Sequence, residues 1–249
     1  MSHKQRLDLL LVEKGLAPSR QRARALIMAG KVLVDTRCVD KPGIQVGVDS
    51  EIGLKSEDSV YVSRGGLKLE GALEALHLDV SGMVCMDVGA STGGFTDCLL
   101  QHGASRVYAV DVGYGQLAWK LRQDGRVIAI ERTNIRYLRP EAIPEPVDLI
   151  TIDASFISLK IVVPAALPFL KPSGTILALI KPQFEAGRGN VGKGGVVRKN
   201  EMRQRIISDL REFFENQGVV CGPVFPSSIL GPKGNQEYII QLSRPDSVL

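Results

Sequence analysis

A chain of 249 residues, 44% hydrophobic and 23% charged, is long enough for one large domain, or for a domain of about 180 residues with a small module beside it, and is too apolar to be disordered. The net charge of +4 is modest, yet residues 1–41 hold nine Lys or Arg against four Asp or Glu, an asymmetry that points to a polyanionic partner. Cys38, Cys85, Cys98 and Cys221 are scattered among three histidines, and the longest apolar run, Ile161 to Leu170, is ten residues with two prolines; this argues against zinc, a disulfide framework or a membrane span, so a cytoplasmic protein is expected.

Leu7, Leu10, Leu11 and Lys14 fall at helical spacing, and Gly15 closes that segment as a C-terminal cap would. Ser19 then caps a second predicted helix, Arg20 to Ala29, with Ala23, Leu26 and Ile27 on one face. Arg20, Arg22 and Arg24 lie off that face, free to meet phosphates. Lys31 to Asp35 reads as a strand, Asp40 to Gly43 as a turn, and further short strands run to Val62. Val62 to Gly66 reads as a flexible join, and Leu67 begins a helix.

The stretch from Met83 to Asp97 is an apolar strand that breaks into glycines and restarts as a helix. Gly89, Gly93 and Gly94 lack Cβ atoms where the backbone must turn and a ligand approach it, and the helix offers unpaired N–H groups. Arg106 to Asp111 follows as a strand ending in a carboxylate, placed as a ribose-hydroxyl acceptor is placed in nucleotide-binding folds. The spacing Gly-x-x-x-Gly-Gly departs from the Gly-x-Gly-x-x-Gly of nicotinamide enzymes and has no clear pyrophosphate cradle, which favours S-adenosylmethionine over NAD. Strand-like runs at Met83–Val88, Arg106–Asp111, Val127–Ile130, Val147–Asp153 and Thr175–Lys181 alternate with helical ones and predict a mainly parallel sheet covered on both faces. Met202, Ile206, Leu210 and Phe213 mark an amphipathic helix, followed by a strand at Glu237–Leu242. Asp153 and Lys181 each end an apolar run, so each should emerge at the rim of the sheet, where ligands of such folds bind.

Two resemblances sharpen this reading. The front pattern, Arg-Leu-Asp-x-Leu-Leu-Val through Leu-Ala-x-Ser-Arg to Lys-Pro-Gly, resembles the small α+β RNA-binding domain called the alpha-L motif over about the first sixty residues. It implies that Arg6, Arg20, Arg22, Arg24 and Lys31 meet structured RNA, in salt-sensitive contacts that select no sequence. Asp-x-Gly-Ala-Ser-Thr-Gly-Gly-Phe-Thr (87–96), Asp-Val-Gly-Tyr-Gly-Gln-Leu (111–117), Glu-Arg-Thr-Asn (131–134), Asp-x-Ser-Phe-Ile-Ser-Leu (153–159), Lys-Pro-Gln-Phe-Glu (181–185) and Gly-Asn-x-Glu-Tyr (234–238) resemble the TlyA, or hemolysin A, family of ribosomal RNA 2'-O-methyltransferases. The resemblance implies an RNA-binding domain at 1–61, a linker at 62–66 and a Rossmann-like α/β methyltransferase domain of the FtsJ-like type at 67–249. It further implies S-adenosylmethionine as cofactor, no required metal, and ribosomal RNA or a ribosomal subunit as partner, with a cytidine of large-subunit 23S RNA favoured over 16S RNA.

The Lys-Asp-Lys-Glu tetrad of the wider FtsJ-like group matches Lys68, Asp153, Lys181 and Glu237. The resemblance puts Asp87, Gly89, Ser91, Gly93 and Gly94 around the cofactor, Asp111 on its ribose and Asn134 near its adenine. A ribose 2'-hydroxyl is a poor acid and a weak nucleophile, so methyl transfer to it needs a base or a strongly oriented hydroxyl. Lys181 is expected to accept the proton with Lys68 nearby favouring its neutral form, Asp153 to orient it, and Lys68 with Glu237 to position the hydroxyl.

Gly187 to Lys193 almost spells a phosphate-binding Walker loop, but Gly194 stands where Ser or Thr is needed, so Gly187 to Lys199 reads as a mobile basic loop. Asp153-Ala-Ser-Phe156 lacks the prolines of amino-methylating enzymes, and no Pro-Cys pair serves cytosine-carbon methylation. The competing readings are a membrane-lytic hemolysin, which the mixed charges of residues 200–217 disfavour, and a non-catalytic RNA-binding assembly factor.

Overall fold

The computed structural model describes residues 4–28, 30–35, 37–54, 60–187, 192 and 194–245. The chain divides into two compact units, Met1–Ser59 and Val60–Leu249.

In the first unit, β1 (Lys4–Arg6), α1 (Leu7–Glu13), α2 (Arg20–Met28), β2 (Val32–Val34), β3 (Arg37–Val39), β4 (Gln45–Gly47) and β5 (Ile52–Leu54) follow one another. Strands β1 and β4 form one antiparallel pair, and β2 lies between β3 and β5 in a three-stranded sheet. Leu7, Leu10, Leu11, Ala23, Leu26 and Ile27 of the helices bury against Val32 and Val34. Gly15 adopts φ +70 just past the first helix, and Ser19 Oγ accepts from the Arg22 N–H at 3.2 Å, so both ends follow the capping pattern of the sequence.

Two of the expected phosphate contacts are otherwise engaged. Asp8 is fully buried and accepts from Arg6 Nε at 2.9 Å and Arg20 Nε at 3.0 Å. These guanidinium groups, Arg6 above all, draw its carboxyl down to about 2 against the cost of burial. Arg20 therefore holds α2 to α1 and Arg6 holds the end of β1 to α1, while Arg24 stands exposed beside the buried Ala23.

The second unit runs α3 (Gly65–Leu76), β6 (Val84–Val88), α4 (Gly94–Gln101), β7 (Arg106–Val110), α5 (Trp119–Arg122), β8 (Val127–Ile130), β9 (Val147–Ile152), α6 (Leu159–Ala166), β10 (Leu170–Ile180), α7 (Pro182–Glu185), α8 (Asn200–Asn216), β11 (Val220–Pro226) and β12 (Tyr238–Ser243). Its seven-stranded sheet has the order β11-β12-β10-β9-β6-β7-β8. Strands β6 to β10 are parallel, and β12 and β11 are added antiparallel at one edge. Both faces are covered. Cys85, Val107, Leu149, Leu177 and Ile239 pack toward Leu69, Leu73 and Leu99 of α3 and α4. Met86, Val110, Ile150, Ala178 and Ile240 pack toward Val163 of α6 and Leu210 and Phe214 of α8. This two-sided burial is why the strands read as unbroken apolar runs.

Two expectations change. Residues 62–66 are not a loose join: Gly65 and Gly66 form the first turn of α3, and a Cβ on Gly66 would lie 2.3 Å from the Tyr61 ring. The Val62 N–H donates to Asp97 Oδ2 at 2.8 Å, fastening this segment to α4. Strand β11 escaped the sequence reading because Gly222, Pro223 and Pro226 break its pattern; prolines are tolerated on an edge strand, which this is. No helix among the described residues is long and apolar enough to cross a membrane.

Candidate active site

The chain runs outward from β6 to β8 and returns through β9 to β10, so the crevice where ligands of such sheets bind opens between the carboxyl ends of β6 and β9. Val88 and Ile152 are partners in the last rung of that ladder, which sets Gly89 beside Asp153. A Cβ on Gly89 would stand 2.8 Å from the Asp153 carbonyl oxygen, and the residue adopts φ +85, so both space and backbone demand glycine.

The tetrad assembles as two ion pairs at this edge. The β10–β12 ladder ends at Ile180 and Tyr238, so Lys181 and Glu237 leave the sheet side by side. Lys181 Nζ lies 2.5 Å from Asp153 Oδ1 and donates to Ser155 Oγ at 2.8 Å. Lys68, from the buried face of α3, donates to Glu237 Oε2 at 2.6 Å, with Glu237 wholly enclosed and Lys68 only 7% exposed. Gln183 adds to the second pair, donating from Nε2 to Glu237 Oε1 at 3.4 Å. The Lys68 charge is thus met by Glu237. The expected partnership of Lys68 with Glu237 is a direct ion pair, and Lys181 pairs with Asp153. An enclosed pair of this kind is costly to break on one side, by about 3 to 5 kcal/mol, because the remaining charge is stranded.

The residues expected around a cofactor divide into two groups. Asp111, just past β7, accepts the Ser91 N–H on Oδ2 at 2.8 Å and the Gly113 N–H on Oδ1 at 2.6 Å. Each oxygen keeps a lone pair for a ribose hydroxyl. Ser91 itself adopts φ +48, turning the loop back toward Asp111. Gly89 and Ser91, whose N–H groups are taken by Val110 and Asp111, thus form a tight turn beside the Asp111 carboxylate, and this diol acceptor fits the ribose of S-adenosylmethionine.

Asp87, Gly93 and Gly94 have another office. Asp87 is fully buried, accepting from Thr96 Oγ1 at 2.7 Å and Thr151 Oγ1 at 3.2 Å. Burial, which outweighs these bonds, pushes its carboxyl up to about 7. It ties β6 to α4 and β9 and presents no surface to a ligand. A Cβ on Gly93 would meet Leu121 at 2.2 Å, and one on Gly94 would meet Ser63 Oγ at 2.2 Å, so both glycines serve close packing of the protein against itself. Asn134 Oδ1 accepts from the Arg136 N–H at 3.1 Å and caps a short turn.

Two features went unread in the sequence. Ser155 takes its part from the Lys181 ammonium, which reaches it from the end of β10. Phe156 is 89% exposed and holds φ +63, a rare state for a bulky residue; its ring lies 4.9 Å from that of Phe184 at 46°. Phe156 follows Asp153 by three residues and Phe184 follows Lys181 by three, so the pair offers an aromatic face beside the tetrad. The motif Asp-x-Ser-Phe carried both residues, but only its aspartate had a reading.

Residues 61–244 match the FtsJ-like methyltransferase family, and residues 5–52 match the S4 domain. Fold and site together define an S-adenosylmethionine-dependent methyltransferase joined to an S4 module. The chain belongs to the TlyA, or hemolysin A, family of these enzymes. YqxC of Bacillus subtilis is 47% identical over 248 residues, 98% of this chain and 87% of that one. The 16S/23S rRNA (cytidine-2'-O)-methyltransferase TlyA of Mycobacterium tuberculosis is also 47% identical, over 97% of this chain and 91% of its own. A solved structure of a Streptococcus thermophilus protein named as a hemolysin matches with a TM-score of 0.75 at 42% identity, covering 100% of this chain and 92% of that one.

Proposed function

We propose that this protein methylates the ribose 2'-hydroxyl of a cytidine in ribosomal RNA, with large-subunit RNA as the favoured target. The observation that carries the reading is the convergence of Lys68–Glu237 and Lys181–Asp153 at the edge of the sheet that also bears the Gly89–Asp111 cradle. S-adenosylmethionine, held by Gly89, Ser91 and Asp111, supplies an electrophilic methyl group on a sulfonium.

The chain's own residues do the rest. Lys181, once its ammonium has given a proton to solvent, orients the 2'-hydroxyl and takes the proton of that hydroxyl as its oxygen is methylated. Asp153 and Ser155 fix the direction of the Lys181 side chain, and the Asp153 carboxylate lends negative charge to the sulfonium side. Lys68 and Glu237 form a rigid wall that places the ribose. The exposed Phe156 ring gives a base turned out of its stack something to rest on. A lytic role finds no support in a site built of buried ion pairs.

The test is Lys181→Ala, measured with ribosomal RNA and radiolabelled S-adenosylmethionine. Transfer is expected to fall by about 10²- to 10⁴-fold, the usual worth of a positioned acid–base group, while cofactor affinity stays within about twofold of the native value. Near-native turnover in that variant would refute the assignment.

A further inference from the structure

Strands β9 and β10 are neighbours, and their ladder ends at Ile152 and Ala178, so the segments that follow them leave the sheet together. The first, residues 153–159, and the second, residues 181–185, are joined at three points. Lys181 meets Asp153 and Ser155 beside the sheet. The rings of Phe184 and Phe156 meet next in chain order. Last, the half-buried Glu185 accepts from Ser158 Oγ at 2.6 Å and from the Leu159 N–H at 2.8 Å. The first two contacts belong to the site already described, whereas the third is a carboxylate with no part in the reaction.

Both bonds to Glu185 have a local use. Leu159 opens α6, so its N–H has no partner within the helix, and the amino end of a helix favours a negative charge. Ser158 donates to Glu185 while its oxygen accepts the Lys160 N–H at 3.1 Å. The loop that Glu185 closes is also fixed at its start, where the Asp153 N–H donates to the Val88 carbonyl at 3.0 Å. Only four residues lie between these two ties.

Within that span Phe156 holds φ +63. A bulky residue keeps such a backbone only where its surroundings over-determine it. The contact with Phe184 does not suffice, since an exposed ring turns about its own side-chain bonds without changing φ. Two fixed ends so close together do. The second segment is itself a stiff turn, with the Phe184 N–H donating to the Lys181 carbonyl at 2.8 Å and the Ala186 N–H to that of Pro182 at 3.0 Å. Glu185 therefore carries to the start of α6 the position at which Lys181 leaves β10.

We infer that Glu185 is a positioning residue of the methyl-transfer site. Its carboxylate, through Ser158 and Leu159, holds the loop after β9 in the strained form that turns Phe156 outward and sets Asp153 against Lys181. This deepens the function proposed above and rests on it for the reaction affected.

Three variants test it: Glu185→Ala, Glu185→Gln, and Glu185→Ala combined with Phe156→Gly. A glutamine can accept the Leu159 N–H and donate to Ser158 Oγ, so it keeps the clamp without the charge. With ribosomal RNA and S-adenosylmethionine saturating, Glu185→Ala should lower kcat by about 10- to 100-fold, the scale on which a displacement of about 1 Å costs rate. The KM for S-adenosylmethionine should stay within about twofold of the native value, and Glu185→Gln should recover most of the lost kcat. Urea denaturation gives a second readout that needs no turnover. In the native chain, release of the strain at Phe156 offsets part of what Glu185→Ala loses; in Phe156→Gly there is no strain to release. The midpoint should therefore fall further when Glu185→Ala is made in the Phe156→Gly protein. Equal midpoint shifts in the two backgrounds would overturn the inference and leave Glu185 an ordinary helix cap. A kcat untouched by Glu185→Ala, or a glutamine variant as slow as the alanine one, would overturn it too. Unequal midpoint shifts of the expected sign, in a protein inactive on every ribosomal RNA tried, would instead overturn the proposed reaction and leave the clamp on the loop standing.

Discussion

Gly231 has an ordinary backbone, with φ −68, and its need for glycine is purely one of space. A Cβ there would lie 2.1 Å from Glu237 Oε1. Gly231→Ala should push Glu237 off Lys68, destabilising the protein by about 3 kcal/mol and reducing methyl transfer, as chemical denaturation and a transfer assay would record. Phe156 is the opposite case, a side chain retained despite its backbone. A bulky residue in the left-handed region costs about 1 kcal/mol or more, so Phe156→Gly should raise the melting temperature by a few degrees while lowering turnover. If the ring serves only packing, both readouts should fall together. Neither residue was legible beforehand, because steric need at Gly231 and strain at Phe156 belong to three-dimensional neighbours. Lys68, Asp153, Lys181 and Glu237 were legible because Asp153 and Lys181 close apolar strands and Lys68 and Glu237 stand in motifs that carry the resemblance.

Strand β6 carries its own titration. The Asp87 carboxyl, near 4 when exposed, is pushed up to about 7 by burial, so between these values the folded chain binds a proton that the unfolded chain has released. Stability therefore falls as pH rises from about 4 to about 7 and is level beyond, a loss on the order of 4 kcal/mol for a fully enclosed group. Asp87→Asn keeps the size and one acceptor for Thr96 but cannot ionise, so its melting temperature should change less between pH 5 and pH 8 than that of the native chain. An identical slope in both proteins would show that Asp87 stays neutral throughout or that other groups dominate. The elements themselves were readable wherever both faces were buried, as at β6 and β9, where the apolar run is continuous. They were misread where glycine or proline does structural work inside an element: Gly65 and Gly66 start α3 where a join was expected, and Pro223 and Pro226 hid β11.

The chain concentrates its excess charge in the first 41 residues, which carry nine of its 31 Lys and Arg against four acidic groups, while the cofactor cradle proposed in the second unit centres on one carboxylate, Asp111. Two kinds of binding therefore coexist in one molecule and should respond differently to salt. Capture of RNA by phosphate contacts releases counterions, so its affinity falls with salt by a slope of about 0.9 for each contact on duplex RNA. Recognition of a nucleoside by short hydrogen bonds has no such dependence. With about three phosphate contacts, a fourfold rise in salt should raise the KM for ribosomal RNA by about 40-fold, with kcat and the KM for S-adenosylmethionine nearly constant. Arg24→Ala, which removes an exposed cation from α2 and leaves the Asp8 cluster intact, should lower that slope by about one contact without shifting the melting temperature. Arg20→Ala should do the reverse, since Arg20 is committed to Asp8. Steady-state kinetics at several salt concentrations would separate the two. A KM for S-adenosylmethionine that climbed in parallel with that for RNA would mean that the charged front of the chain and the cradle do not act as independent sites.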